Sequence, residues 1–186
     1  MSLSLVSGRG HYESVIDAVM RAEISVWIAT SNLKELMVED GRRISVRRGA
    51  RRPRNPYRSV LETFAELSKK KVELRILHAK LPSRAFREEF DRQPALVRGG
   101  MELKMCPRVH MKVVIVDGRL LYLGSANWTG AGLGAKGAGR RNFELGVLTE
   151  DEAMLDDVQQ MFEHLWNGGE CRACKLRDIC EAPLDL

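Results

Sequence analysis

Two hydrophobic periods alternate along this chain, and the switches between them predict an α/β protein. Val15, Ile16, Val19 and Met20 recur at helical spacing and predict a helix over 11–22. Ile24, Val26, Trp27 and Ile28 predict a buried strand over 23–30, stopped by Ser31 and Asn32; 33–39 fits neither period. Val60, Leu61, Phe64 and Leu67 predict an amphipathic helix over 57–70, with a strand over 72–77 closed by His78, which reads as structural or as the rim of a pocket. A short helix over 82–90, a turn at 94–97 and a strand over 101–105 follow. The β-branched run 109–116, an Asp117-Gly118 turn and apolar 120–123 predict a hairpin. A strand over 142–149 and a helix over 151–166, with acids in its first turn where the helix dipole favours them, complete the pattern. Alternating helices and strands imply a mixed β-sheet flanked by helices.

Composition narrows the class. With 186 residues, 44% hydrophobic and 30% charged, the chain can bury its own core, and one domain is the default. No apolar run approaches the roughly 20 residues of a membrane helix, and 1–10 lacks the charged-then-apolar pattern of a signal peptide, so a cytoplasmic protein without a membrane partner is expected. A net charge of +5 favours a polyanionic partner.

The chemistry concentrates in the hairpin. If 109–116 is a strand, period two sets His110 and Lys112 on one face, and neither buries cheaply without a partner. Together they suit an anion such as phosphate. Gly124, Ser125 and Asn127 place small and amide-bearing residues near the hairpin's end. The full constellation, His110-x-Lys112-x4-Asp117-x6-Gly124-Ser125-x-Asn127, resembles the signature of the phospholipase D superfamily over 109–129, in a resemblance extending over about 24–166. It implies a phospholipase D-like fold over 1–167 and a metal-independent phosphodiesterase. His110 attacks phosphorus and forms a phosphohistidine, while a second copy of His110 protonates the leaving oxygen and then activates water. Lys112 and Asn127 bind the non-bridging oxygens, Ser125 adds a hydrogen bond, and Glu144 orients the histidine ring, with Glu150 and Asp151 nearby as other carboxylates. Asp117 belongs to the signature but sits at the turn, which points to a structural role. The chain holds one signature where such sites need two, so an isologous homodimer is implied, with its active site on the twofold axis.

Two stretches stand outside this pattern. Residues 41–58 hold Arg42, Arg43, Arg47, Arg48, Arg51, Arg52, Arg54 and Arg58 with no acid and no lysine. The run reads either as a solvated loop or as a contact surface for the phosphates of DNA or RNA, since the guanidinium fork suits phosphate and such contacts are strongly salt-dependent. The tail 168–186 carries Cys171-x2-Cys174-x5-Cys180, and Cys106 lies four residues ahead of His110. These are free thiols, disulfides or a metal site. Structural zinc is the first candidate; the spacing also resembles the cluster-binding tail of some iron–sulfur nucleases, making a 4Fe–4S cluster the alternative. His164 could replace Cys106. Between 130 and 139 lie five glycines, which predicts a mobile loop after the signature.

The expected function is therefore an endonuclease-like phosphodiesterase acting on nucleic acid. A phospholipid hydrolase or transferase of the same chemistry is the alternative, although no amphipathic membrane segment or lipidation motif is present. A non-catalytic nucleic-acid-binding module is a third reading, and the intact signature argues against it.

Overall fold

A seven-stranded mixed sheet forms the centre of the protein, in a computed structural model that describes residues 3–40 and 56–186. Its strands are β1 (Leu3–Ser7), β2 (Ser25–Thr30), β5 (Glu73–His78), β6 (Glu102–Met105), β7 (Val113–Val116), β8 (Leu120–Gly124) and β9 (Leu145–Thr149). They are ordered β1-β9-β8-β7-β2-β5-β6, with β2, β5 and β6 parallel and the other pairs antiparallel. β3 (Met37–Glu39) and β4 (Tyr57–Ser59) form a separate two-stranded ribbon.

Helices cover both faces, so the central strands bury side chains on each side. On one face, Val26, Ile28, Leu74, Ile76, Val114 and Val116 pack beneath the wide helical turn His11–Ile16, α1 (Asp17–Met20), α2 (Val60–Lys69) and α3 (Arg84–Asp91). On the other, Ala29, Leu77, Val113, Ile115 and Leu121 pack beneath α4 (Glu152–Trp166), which presents Leu155, Phe162 and Trp166. Trp27 stacks on Phe162, and Phe162 on Trp166, at centroid distances of 5.3 and 5.6 Å. Each fully buried side chain of this size contributes about 1.5–3 kcal/mol, so these two layers set the position of everything above them.

Most predicted elements form, shortened at their ends for identifiable reasons. α2 begins at Val60 because Ser59 caps it: the Ser59 hydroxyl accepts from the Leu61 amide at 3.0 Å, and Glu62 returns to the Ser59 amide at 3.2 Å. Tyr57–Ser59, expected as helix, is instead strand β4. Asp151 likewise caps α4 by accepting from the Met154 amide at 3.0 Å. The strand expected over 109–116 is reduced to Val113–Val116. Lys112 still accepts from the Gly124 amide at 3.2 Å, but β8 turns away there, leaving His110 and Met111 with no strand to pair with. His110 and Lys112 thus stand on an extended lead-in beyond the sheet. Strand β1, which the periodicity did not predict, extends the sheet by pairing Leu3–Ser7 with Leu145–Thr149.

Candidate active site

The signature residues collect at one end of the sheet, where β7 begins and β8 ends. His110 is exposed and Lys112 half-buried. The Lys112 ammonium lies 3.3 Å from His110 Nε2 and donates to the His110 carbonyl at 2.7 Å. An ammonium can only donate, so a hydrogen bond in this contact requires Nε2 as the acceptor, and on that ground the ring's proton is assigned to Nδ1. That leaves at Nε2 the electron pair a nucleophile needs. Burial pulls the Lys112 pKa below its ordinary value, and the charge of Glu144 pulls the other way.

Glu144 is held by neighbours other than the histidine. Its carboxylate accepts a short hydrogen bond from the Ser125 hydroxyl and one from Asn142 Nδ2 at 3.0 Å, while Ser125 Oγ accepts from the Leu145 amide at 3.1 Å. No hydrogen bond joins it to the His110 ring among the described residues. Glu144 therefore ties the loop after β8 to the start of β9 and sets its charge near Lys112.

Asn127 is fixed from behind. Its Oδ1 accepts from Thr30 Oγ1, the Ser31 amide and hydroxyl, and the Asn32 amide, at 2.8–3.2 Å. With the carbonyl oxygen so engaged, the Nδ2 protons are what the side chain has to offer a ligand. Asn127 lines a hollow of about 200 Å³ with Lys34, Glu35, Thr129, Lys136 and Asn142. His110 lies in a cleft of about 430 Å³ with Cys106, Arg108, Met111, Leu165 and Glu170. Lys112, Glu144 and Asn142 bridge the two.

Small residues let this end of the sheet close up. Gly124 and Gly146 are opposite each other in β8 and β9, and the Tyr122 side chain fills the space above them; a Cβ would come within 2.3 Å of the Tyr122 hydroxyl at Gly124 and within 2.4 Å of the ring at Gly146. Burial, with a lesser contribution from Glu144, pushes the Tyr122 hydroxyl up to about 12.

Asp117 stands at the other end of the hairpin. Asp117 and Gly118 both adopt positive φ, 55° and 61°, the backbone a tight hairpin turn requires. The Asp117 carboxylate accepts from the amides of Glu23, Ile24 and Ser25, and its own amide donates to the Ser25 carbonyl at 2.8 Å. It pins β2 to the turn and stands away from the His110 end.

Other expected site residues fall as follows. Arg58 has a side chain only 11% exposed that pairs with Glu66 at 2.8 Å and braces β4 against α2. The other seven arginines, from Arg42 to Arg54, lie outside the described residues. His78 is buried at the end of β5, with Nδ1 3.0 Å from the Lys80 carbonyl, and burial lowers its pKa. Cys106, Cys171, Cys174 and Cys180 are free thiols lining one small cavity. His164 turns to Glu170 at 3.0 Å and does not line that cavity. Among the described residues, no three or more His, Cys, Asp or Glu side chains converge as ligands of one metal ion.

Two further groups escaped the sequence reading. His11 is fully buried, packed edge-on against Tyr122 at 5.5 Å, with Nε2 lacking a hydrogen bond; burial lowers its pKa. Glu35 beside Asn127 has its pKa raised to about 7 by desolvation. The Ser59 hydroxyl opposes that shift, yet neither carboxyl oxygen has a partner in hydrogen-bond geometry. Neither position carries a local pattern that marks it in the sequence, because both depend on distant segments meeting.

The sequence pattern of the family described as cardiolipin synthase, PLD-like domain, matches residues 15–166. This chain belongs to the phospholipase D superfamily. The phospholipase D family member Nuc from Salmonella typhimurium shares the fold at 17% identity, with a TM-score of 0.60 over 89% of this chain and 94% of its own. NucT from Helicobacter pylori is similar at 16% identity and a TM-score of 0.58, over 87% and 93% of the two chains. The phosphatidylserine synthase of Haemophilus influenzae Rd KW20 matches at 17% identity and a TM-score of 0.55, over 88% of this chain and 38% of that one. Among curated protein sequences, none matches. No helix among the described residues of this phospholipase D-like chain is long and apolar enough to cross a membrane.

Proposed function

We propose that the protein is a metal-independent, endonuclease-like phosphodiesterase of nucleic acid whose active site is shared by two copies of the chain. The observation that carries this reading is the Lys112 ammonium against His110 Nε2, because it presents a lone pair beside a fixed positive charge. In the first step Nε2 bonds to phosphorus and the P–O bond to the leaving group breaks. The leaving oxygen takes a proton from His110 of the other copy. That imidazole, now neutral, then removes a proton from water as the water attacks the phosphohistidine, and both rings return to their starting states. Lys112 and the Nδ2 of Asn127 offset the charge on the non-bridging oxygens in each transition state.

One signature per chain supports the second copy. So does an apolar strip beside the site. Register places Leu3, Leu5 and Leu145 on one face of the β1–β9 pair, 60%, 70% and 55% exposed, with Phe143 fully exposed next to Glu144. A soluble chain rarely leaves such a patch bare without a partner for it. The net charge of +5 and the arginine run at 42–54 support a polyanionic substrate.

The same apolar strip gives the phospholipid reading its one specific argument. Gel assays on single- and double-stranded DNA and RNA, run beside phospholipid vesicles with wild type and His110→Asn, separate the two. Cleavage of a nucleic acid by wild type and not by the variant is expected. Turnover of lipid alone would sink the nucleic-acid reading, and an active monomer in light scattering would sink the shared site.

A further inference from the structure

The tail after α4 is ordered without a core of its own. Apart from Gly168, none of residues 168–186 is buried, and Ile179 and Leu186 are 78% and 92% exposed. A segment this short cannot be held by apolar burial alone and needs a cross-link. What the tail turns inward is sulfur. Cys171, Cys174 and Cys180, on successive tight turns, line one cavity with Cys106, which follows β6 and whose amide donates to the His78 carbonyl at 2.9 Å. The rest of the wall is mostly apolar, including Pro107, Leu176, Pro183 and Leu184.

We propose that these four thiolates hold an iron–sulfur cluster of the 4Fe–4S type. Three features support a thiolate-held cluster. First, Cys106 and the three tail cysteines line a single cavity whose other walls are mostly apolar, a setting that shields a bound cluster from solvent. Second, sulfur receives hydrogen bonds from the backbone: the Leu184 amide donates to Cys171 Sγ at 3.4 Å, and the Leu176 amide to Cys174. Such bonds stabilise and tune thiolate-held clusters. Third, two guanidinium groups flank the thiols, Arg108 at Cys174 and Arg177 near Cys171 and Cys180. They offset the negative charge that remains when four thiolates meet a cluster core. Arg177 is itself anchored by Asp185 at 2.7 Å, so the chain's last residues close over the same cavity.

The position gives the cluster a consequence for the site. Cys106 and Arg108 line the cleft that holds His110. A cluster bound at Cys106 would fasten the lead-in carrying His110 to the tail, and its loss would loosen residues 106–110 while leaving the sheet intact.

The test uses the full chain, expressed with added iron and purified without oxygen. Iron, acid-labile sulfide, zinc and visible absorption are measured for wild type, Cys106→Ser, Cys180→Ser and His110→Asn. Wild type and His110→Asn should carry iron and sulfide in equal amounts with a broad visible absorption, and both cysteine variants should lose it. Because His110→Asn keeps the cluster, this outcome is independent of the phosphodiesterase reading. Should the cysteine variants misfold, metal-free wild type treated anaerobically with ferric iron, a thiol reductant and sulfide provides the second measurement, and the absorption should return. Stoichiometric zinc in place of iron would overturn the cluster. Disulfide-bonded cysteines, or a metal-free chain that takes up no iron, would overturn the site altogether.

Discussion

At one end of the β7–β8 hairpin, the Asp117 carboxylate is fixed by three backbone amides and a turn of defined handedness. At the other end, His110 is exposed on a lead-in without a strand partner, its ring set against a lysine. Both residues belong to the same signature, and their surroundings differ because their tasks differ. Asp117 satisfies donors that would otherwise be orphaned at the start of β2, which is a gain in stability. The side chains of His110 and Lys112 contact chiefly each other, at the open end of the sheet. On the proposed function, stability and chemistry are separated by the length of one short strand, and changes at the two ends should separate in the same way.

Between Lys112 and Asp117, the larger effect on activity should come from Lys112→Ala. It removes both the contact to Nε2 and the charge facing the non-bridging oxygens, so kcat should fall by about a hundredfold to a thousandfold with little change in Tm. Asp117→Ala should show the reverse. Losing an anionic acceptor of three amides costs about 2–3 kcal/mol, a drop in Tm of roughly 4–12 °C by calorimetry, while activity per folded molecule is kept. A Lys112→Ala variant that melts early, or an inactive but fully folded Asp117→Ala, would break the division.

Glu35 tests the border between the two roles with a smaller effect. Its pKa is raised from the usual 4.5 to about 7 by burial. In the unfolded chain it loses its proton near 4.5, whereas the folded protein keeps the proton until about 7. The unfolded state therefore binds fewer protons across that window, and stability falls as pH rises through it. Glu35→Gln should abolish this slope and be the more stable protein at pH 8, by on the order of 1 kcal/mol after allowing for partial exposure. Equal denaturation midpoints for the two proteins at pH 8 would count against a buried charge at this position. The smallest expected effect is that of a chelator on initial rate. EDTA added immediately before substrate should leave phosphodiester cleavage unchanged, because imidazole and ammonium supply the chemistry. Immediate loss of cleavage, restored by a divalent cation, would contradict that.

The sequence made the hairpin legible because its cues are local: β-branched residues, an Asp-Gly turn and fixed spacings around His110, Lys112, Gly124 and Asn127. It overstated the strand into His110, since where a strand ends depends on whether its neighbour is still present, and β8 has already turned. It missed β1 because Leu3 and Leu5 face outward and Val6 is the buried position, which inverts the usual cue. Arg58 was read with the arginines before it by composition, although Glu66, one face of a helix away, claims its guanidinium. His11 and Glu35 show the limit most clearly: His11 packs against Tyr122, 111 positions further along the chain, and Glu35 lines a hollow with Asn127, 92 positions further.

The central claim is that His110 is the nucleophile at the open end of the hairpin. Rapid acid-free quenching of the protein with its cleaved substrate, followed by mass spectrometry of the peptide spanning 104–119, tests it directly. A phosphoryl adduct on His110 is expected in wild type, and neither adduct nor turnover in a His110→Asn protein of unchanged Tm. Turnover retained in that variant, or an adduct on any other residue, would contradict it.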